Sequence, residues 1–281
     1  MSAAPQLPLV DINATRIAGE RMSQRLVTAF VLCGIFFMLL PGTFLGVWNL
    51  LSISKAHDVA TLPQAWLQSH GQAQIFGWIG SFILGIGFYS LTKMQSTLSF
   101  PARSGWTTWA MWTLGVSLRW LAGVTAWHWR ALLPLSGLLQ LAAYSLFYLS
   151  VRQHRPDGPK RRPEAWMQLV IFGMVGFFVA MAANLASLSY IALHGDAPAL
   201  PHVLDQQFVV LAVWGVLVPT IWGFNARWLP IFAGFKKSAD KHLLLAYGLN
   251  VAAIAANFLE WWAVSAVLFL VTAFVAAEAL N

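Results

Sequence analysis

Few side chains in this sequence can do chemistry, and a few short stretches hold most of them. His70 opens one helical run within Trp66-Leu-Gln-Ser-His-Gly-Gln-Ala-Gln-Ile-Phe-Gly-Trp78. His70, Gln74, Gly77 and Ser81 stand at i, i+4, i+7 and i+11, a single stripe of a helix. Gly77, Gly80, Gly85 and Gly87 remove bulk nearby, so a backbone or a flat cofactor can approach closely. A neutral imidazole at the head of such a stripe suits axial ligation of a haem. On composition alone it suits better a hydrogen bond to a neighbouring helix, with the glycines serving helix packing.

Arg119, in Leu118-Arg-Trp120, lies well inside an apolar run. A charge there is expensive, so it must face the protein interior or a cavity, or else snorkel to the membrane surface. Asp205 or an anionic group such as a haem propionate would pair with it. His202 opens Pro201-His-Val-Leu-Asp-Gln-Gln-Phe208, with Asp205 and Gln206 about one turn on. That pattern reads as a helix N-terminus, where the dipole favours Asp205. Pro219 further along weakens a bond to the Gly215 carbonyl and should kink the helix.

Other polar residues read more plainly. His57, His154 and His194 sit in polar loops, and His242 beside Lys241 starts a helix. Asn184, Asn250 and Asn257 suit interhelical hydrogen bonds. The single cysteine, Cys33, lies in an apolar run and reads as a small hydrophobe. It excludes a disulfide framework and a cysteine-based zinc site. There is no P-loop, dinucleotide fingerprint, His-Glu-x-x-His helix or nucleophile elbow. The inner half also lacks the chain of membrane carboxylates of a proton-coupled carrier, because Glu278 stands almost at the end of the chain.

The elements that position these residues follow from composition. The 281 residues are 58% hydrophobic and only 10% charged, with 15 Trp and 19 Phe. Mean hydropathy is +0.65. A soluble domain carries about a quarter charged residues, so this is a polytopic membrane protein. Apolar runs mark eight spanning helices: 26–51, 66–92, 106–127, 131–151, 166–192, 203–227, 241–258 and 260–280. The last two meet at Phe258-Leu-Glu-Trp-Trp262, which leaves room only for a tight turn. Residues 1–25 are polar, lack the apolar core of a signal peptide, and read as a cytoplasmic tail.

The basic residues orient the bundle. With the N-terminus inside, the cytoplasmic segments hold Arg16, Arg21, Arg25, Lys93, Arg103, Arg152, Arg155, Lys160, Arg161, Arg162, Arg227, Lys236, Lys237 and Lys241. Lys55 and Arg130 lie outside and Arg119 within a span, which completes the 17. This asymmetry accounts for the +7 net charge without nucleic acid. The short loops imply one membrane domain over 26–281. A Pro-rich basic linker, 152–165, divides it into two four-helix units, 26–151 and 166–281. Trp66, Trp106, Trp127, Trp129, Trp166, Trp228, Trp261 and Trp262 fall at helix ends, as an interfacial belt would. The units also share a weak repeat at an offset of 136, with Trp78 matching Trp214 and Gly87-Phe88 matching Gly223-Phe224. Both helices run in the same direction, so the repeat would be parallel.

The stretch His70 to Phe88 resembles the second helix of the haem-copper oxidase catalytic-subunit superfamily. It is most like the shorter NnrS-type nitric-oxide-response membrane proteins. The stretch Leu204-Asp-Gln-Gln-Phe through Trp222-Gly-Phe-Asn-Ala-Arg-Trp-Leu-Pro230 is similar to the sixth helix of those relatives. The resemblance covers about half the chain. It implies an all-α membrane fold of four-helix arcs, in a cytoplasmic membrane of bacterial type. It also implies haem b, with His70 as a ligand, Gln74 and Gly77 beside it, and Arg119 clamping a propionate. His202 or Gln72 would be the metal's partner ligand. Relatives read His-Gly-His where this chain has His70-Gly71-Gln72, and carry a histidine near Gln207. They have twelve helices, so eight imply a shortened or split form, with a second polypeptide or further copies supplying the rest. No set of three histidines supports copper.

Three functions follow as expectations. One is a haem- or metal-binding membrane protein in nitric-oxide or oxygen response or electron transfer, short of a complete oxidase. Another is a small-molecule or ion transporter, favoured by Arg119, Pro219 and the repeat. The third is a degenerate membrane subunit in which Gln72 and Gln207 stand where ligands stood.

Overall fold

The computed structural model describes residues 12–58, 62–94, 100–154, 163–234, 236 and 238–280. The first part of the expected tail and most of the basic linker 152–165 lie outside the described residues. Every regular element among those described is helical, and they assemble into eight rods. Rod α1 comprises Ile12–Phe37, a π-helical segment Met38–Phe44, and Leu45–Ala56. Rod α2 comprises Gln64–Gln72, a π-helical segment Ala73–Gly80, and Ser81–Met94. Then come α3 (Ala102–Thr125), α4 (Trp129–Gln153) and α5 (Ala165–His194). Rod α6 comprises His202–Val210, a π-helical segment Leu211–Leu217, and Val218–Ala233, and it is followed by α7 (Asp240–Phe258) and α8 (Trp262–Leu280).

Six of these are long and apolar enough to cross a membrane: α1, α2, α4, α5, α6 and α8. The other two carry more polar groups. Rod α3 holds Arg103 and Arg119, and α7 opens on Asp240-Lys-His242 and holds Asn250 and Asn257. Burial supports a lipid surround, because Leu193, Leu270 and Phe274 stand wide open on α5 and α8. In water such faces would drive aggregation.

Rod α1 starts at Ile12, inside the stretch expected to be a tail. The run Ile12 to Leu26 has no proline and one glycine, so nothing stops the helix when it becomes polar. The α3–α4 connection is only Ala126 to His128, turned by left-handed Ala126 (φ 55°) and His128 (φ 42°). The α7–α8 connection is the tight turn expected, with Glu260 at φ 61° and Trp261 N–H bonded to Ala256 O at 2.9 Å.

Neighbours in sequence pack antiparallel. We call the end at which α2 begins the upper end. From there downward, Gly46 meets His70, Gly42 meets Gln74, and Gly34 meets Phe82. Rods α3 and α4 join at Gly115 and Gln140, α4 and α5 at Gly137 and Leu185, and α5 and α6 at Gly176 and Gly215. At that last crossing the Gly176 Cα faces the Gly215 carbonyl so closely that no Cβ fits.

Each π-helical segment has one residue too many for an α-turn, which displaces carbonyls from their usual donors. Pro41 lies inside the first, and Pro219 follows the third, where the Gly215 carbonyl lost its donor as the sequence implied. The second contains no proline.

The two units share an order of neighbours: α1 lies on α2 and α3 as α5 lies on α6 and α7. The residues matched at an offset of 136 do not share surroundings, however. Gly87 abuts Phe147 of α4, whereas Gly223 abuts Trp166 and Val170 of α5. Trp78 packs edge-on to Phe82, whereas Trp214 stacks on Phe269 of α8.

Candidate functional site

Residues two apart on a helix point to opposite sides, about 200° apart. Rod α2 therefore offers two polar faces, His70 with Gln74 and Gln68 with Gln72.

The first face lies on α1 and covers its π-helical segment. The His70 Nδ1–H donates to the Gly42 carbonyl at 2.9 Å, the tautomer required by a carbonyl partner. Its ring lies against Gly46, where an added Cβ would come within 2.7 Å of Cε1. Gln74 donates to Met38 O at 3.5 Å, Thr43 to the same oxygen at 2.8 Å, and Trp120 to Pro41 O at 3.2 Å. Gly77 packs on Phe37 and Val116, and Ser81 accepts from Trp112 Nε1 at 3.2 Å. The stripe read from the sequence is real, and it meets a neighbouring helix whose loosened carbonyls need donors.

The second face packs toward α3, α4 and the α5–α6 connection, in a buried polar chamber of the upper half. Gln72 Nε2 and Asn184 Nδ2 both donate to Gln140 Oε1, at 3.4 and 3.0 Å. Gln68 clasps the α5–α6 connection: it donates to Leu200 O and accepts from Leu200 N, each at 2.8 Å. Asp205 stands beside it. Gly115, Arg119 and Gly123 form one stripe of α3, with Gly115 against Gln140 and Gly123 against Ser69. Arg119 thus sits between them. It is 3% exposed, and its Nε and Nη1 have no partner. Asp205 acts on it electrostatically without bonding either nitrogen.

Within this chamber the unpartnered buried side-chain atoms are Arg119 Nε, Arg119 Nη1 and Gln140 Nε2, all of them donors. A buried donor left unbonded costs about 1–3 kcal/mol. The chamber is therefore short of acceptors, and an acceptor-rich guest would relieve it.

Below it lies an aromatic layer. Phe76 stacks on Phe208 with centroids 5.6 Å apart and lies 6.0 Å from Phe177, which Trp112 meets edge-on at 5.8 Å. These side chains are almost wholly buried.

The structure brings Arg119 near Asp205 and Gln72, and it separates all three from the His70 face. His202 is exposed at the start of α6, where it acts on Asp205. Gln207 is half-buried, and no hydrogen bond joins it or His202 to His70 among the described residues. The four residues expected around a metal are thus dispersed. No group of three His, Cys, Asp or Glu is placed for a metal among the described residues. As placed, they do not fit an axial haem site. His70 is wedged between Gly42 and Gly46, Gln72 points the other way, and Arg119 is not on its side. Two apolar clefts, of about 560 Å³ beside Pro41 and Trp120 and about 350 Å³ below Phe177, are not lined by His70.

Gln68 and Gln140 were missed in the sequence, although Gln140 is a lone carboxamide in the apolar run Leu138-Leu-Gln-Leu-Ala142. Asn184 and Asn250 make the interhelical bonds expected, Asn250 to Trp214 O at 2.7 Å. Comparison with protein-family models, with curated proteins and with solved structures finds no match.

Proposed function

We propose that this is an eight-span membrane protein, with its N-terminus in the cytoplasm and two four-helix units, that binds a small carboxylate or oxyanion at Arg119 and carries it across the bilayer. The observation that carries the reading is the buried guanidinium with two unpartnered nitrogens. An intramembrane charge marks a ligand pathway by default. An oxyanion would accept from one of the unpartnered guanidinium nitrogens, Nε or Nη1, and from Gln140 Nε2. Asp205, about one turn into α6, then balances the charge when the site is empty. The Gln68–Leu200 clasp holds the connection above the chamber, and the Phe76–Phe177–Phe208 layer seals it below. The π-helical segments of α2 and α6 flank that layer, where a turn with a loose bond changes shape at low cost.

The test is a thermal-shift screen of purified protein against nitrate, phosphate, acetate and lactate, followed by uptake into proteoliposomes. At least one anion should raise the melting temperature and be taken up, and Arg119→Gln should abolish both. Protection by none of them, or an unchanged response in Arg119→Gln, would overturn the reading. Span count and direction are tested in a Cys33→Ser background. Cysteines at Lys55 and Glu260 should label from outside and one at Arg103 from inside.

A further inference from the structure

The face of α2 that holds Gln68, Gln72 and Phe76 continues downward as the wall of a second site. Below the aromatic layer, α2 and α6 stand apart over a floor of α4 and α5, and a cleft of about 350 Å³ lies between them. Its α2 wall runs from Ile79 to Ser90, about 16 Å at 1.5 Å per residue. That volume over that length leaves a cross-section of about 20 Å², the girth of one extended hydrocarbon chain.

The wall chemistry agrees. Every hydroxyl that lines the cleft is already committed to the backbone. Ser90 donates to Ile86 O at 2.8 Å, Tyr144 to Met174 O at 2.7 Å, and Thr220 to Val216 O at 2.7 Å. The cleft therefore offers no free donor along its length. Asn225, at the lower end, is the exception. Its carboxamide is half-buried and makes no hydrogen bond among the described residues. The rim residues Ile86 and Ile221 are 48% and 52% exposed, so the cleft opens sideways toward lipid. A dry groove with one polar group at its lower end fits an amphiphile lying parallel to the helices.

We infer that this cleft is a binding site for one acyl chain of a membrane phospholipid, whose ester carbonyl accepts from the Asn225 amide. The site is independent of the Arg119 chamber, because the buried aromatic layer lies between them. The chain would act as a removable wedge between the two units at the place where their helices are not in contact.

The probe is phosphatidylglycerol with a diazirine on one acyl chain, in proteoliposomes of phosphatidylethanolamine and phosphatidylglycerol. Crosslinks are mapped by mass spectrometry. Label on residues 79–90 and 217–225 should exceed that on the open α8 face, residues 267–274, about five-fold. Ile86→Trp and Ile221→Trp fill the cleft from its exposed rim and should each bring its label down to the α8 level. Asn225→Leu should lower cleft labelling about two-fold while leaving α8 unchanged. Equal labelling of cleft and α8 in the parent protein would overturn the inference. So would cleft labelling that persists in a tryptophan variant which elutes as the parent does. Displacement of the label by ubiquinone but not by unlabelled phosphatidylglycerol would assign the cleft to an isoprenoid tail and overturn it equally.

Discussion

On the α1 side of α2, four polar side chains have met backbone oxygens, while the buried Asn49 carboxamide stays unbonded. His70, Gln74, Trp120 and Thr43 donate to the carbonyls that the Pro41 segment displaced. On the other side, Gln68 clasps a backbone but Gln72, Gln140 and Asn184 meet only one another, and three donors stay unbonded. The difference lies in what faces each side. A distorted helix offers surplus acceptors, whereas α3, α4 and α5 offer mainly guanidinium and carboxamide N–H groups. Unmet donors in a low-dielectric interior are costly, so they mark the side that needs a guest. The more obvious chemical residue, His70, is among the satisfied groups.

The sharpest way to break this contrast is Arg119→Met. Anion-dependent stabilisation should be lost at least ten-fold, and the ligand-free protein should melt no higher than the parent, because removing one of two mutually balancing charges leaves Asp205 uncompensated. A lower melting point with anion response retained would make Arg119 structural. Next in size is His70→Ala, which empties a packed position and leaves the Gly42 carbonyl bare, at about 1–3 kcal/mol. Denaturation in mild detergent should show that loss, while the anion response and the visible absorption spectrum stay those of the parent. A Soret band in the parent that vanishes in this variant would restore the haem expectation and reverse the assignment of the two faces.

Gly46→Ala sharpens the same side. The new methyl meets the His70 ring, and overpacking costs about 1–3 kcal/mol. The double variant Gly46→Ala/His70→Ala should be more stable than the sum of the single losses, as a double-mutant cycle would read. The smallest effect is expected from Gln72→Leu. Its bond to Gln140 is long at 3.4 Å, so a loss of at most about 0.5 kcal/mol is expected, with Gln140 still held by Asn184. A large loss there would mean that the chamber is a rigid network rather than an open site.

Much of the fold was legible because apolar length and the scarcity of charge are properties of the chain alone. The eight helical rods correspond to the eight apolar runs, although α1 begins well before residue 26. Pro219 announced a disturbed turn in α6, and Pro41 would have announced the one in α1 by the same logic. The π-helical segment in α2 has no such signal, since Gly77 and Gly80 are also common in ordinary spanning helices. Arg119 was legible as a residue needing company, and Asp205 as its neighbour. The grouping of His70 with Gln72 and His202 was not sound. Sequence proximity places two residues on one helix, while the 100° step per residue decides which side each one faces.

By itself the sequence determined the all-helical membrane class and singled out Arg119 as a charge buried among the helices. Those follow from transfer energies of single side chains, which need no partner to be evaluated. Only the tertiary structure decided which polar groups are satisfied. A hydrogen bond is a property of two atoms, and the acceptors for His70 lie 28 residues away, on a helix whose displaced carbonyls exist only once it is bent around Pro41. The unbonded donors at Arg119 and Gln140, and the dry cleft beneath them, follow from how α2 to α6 pack against one another.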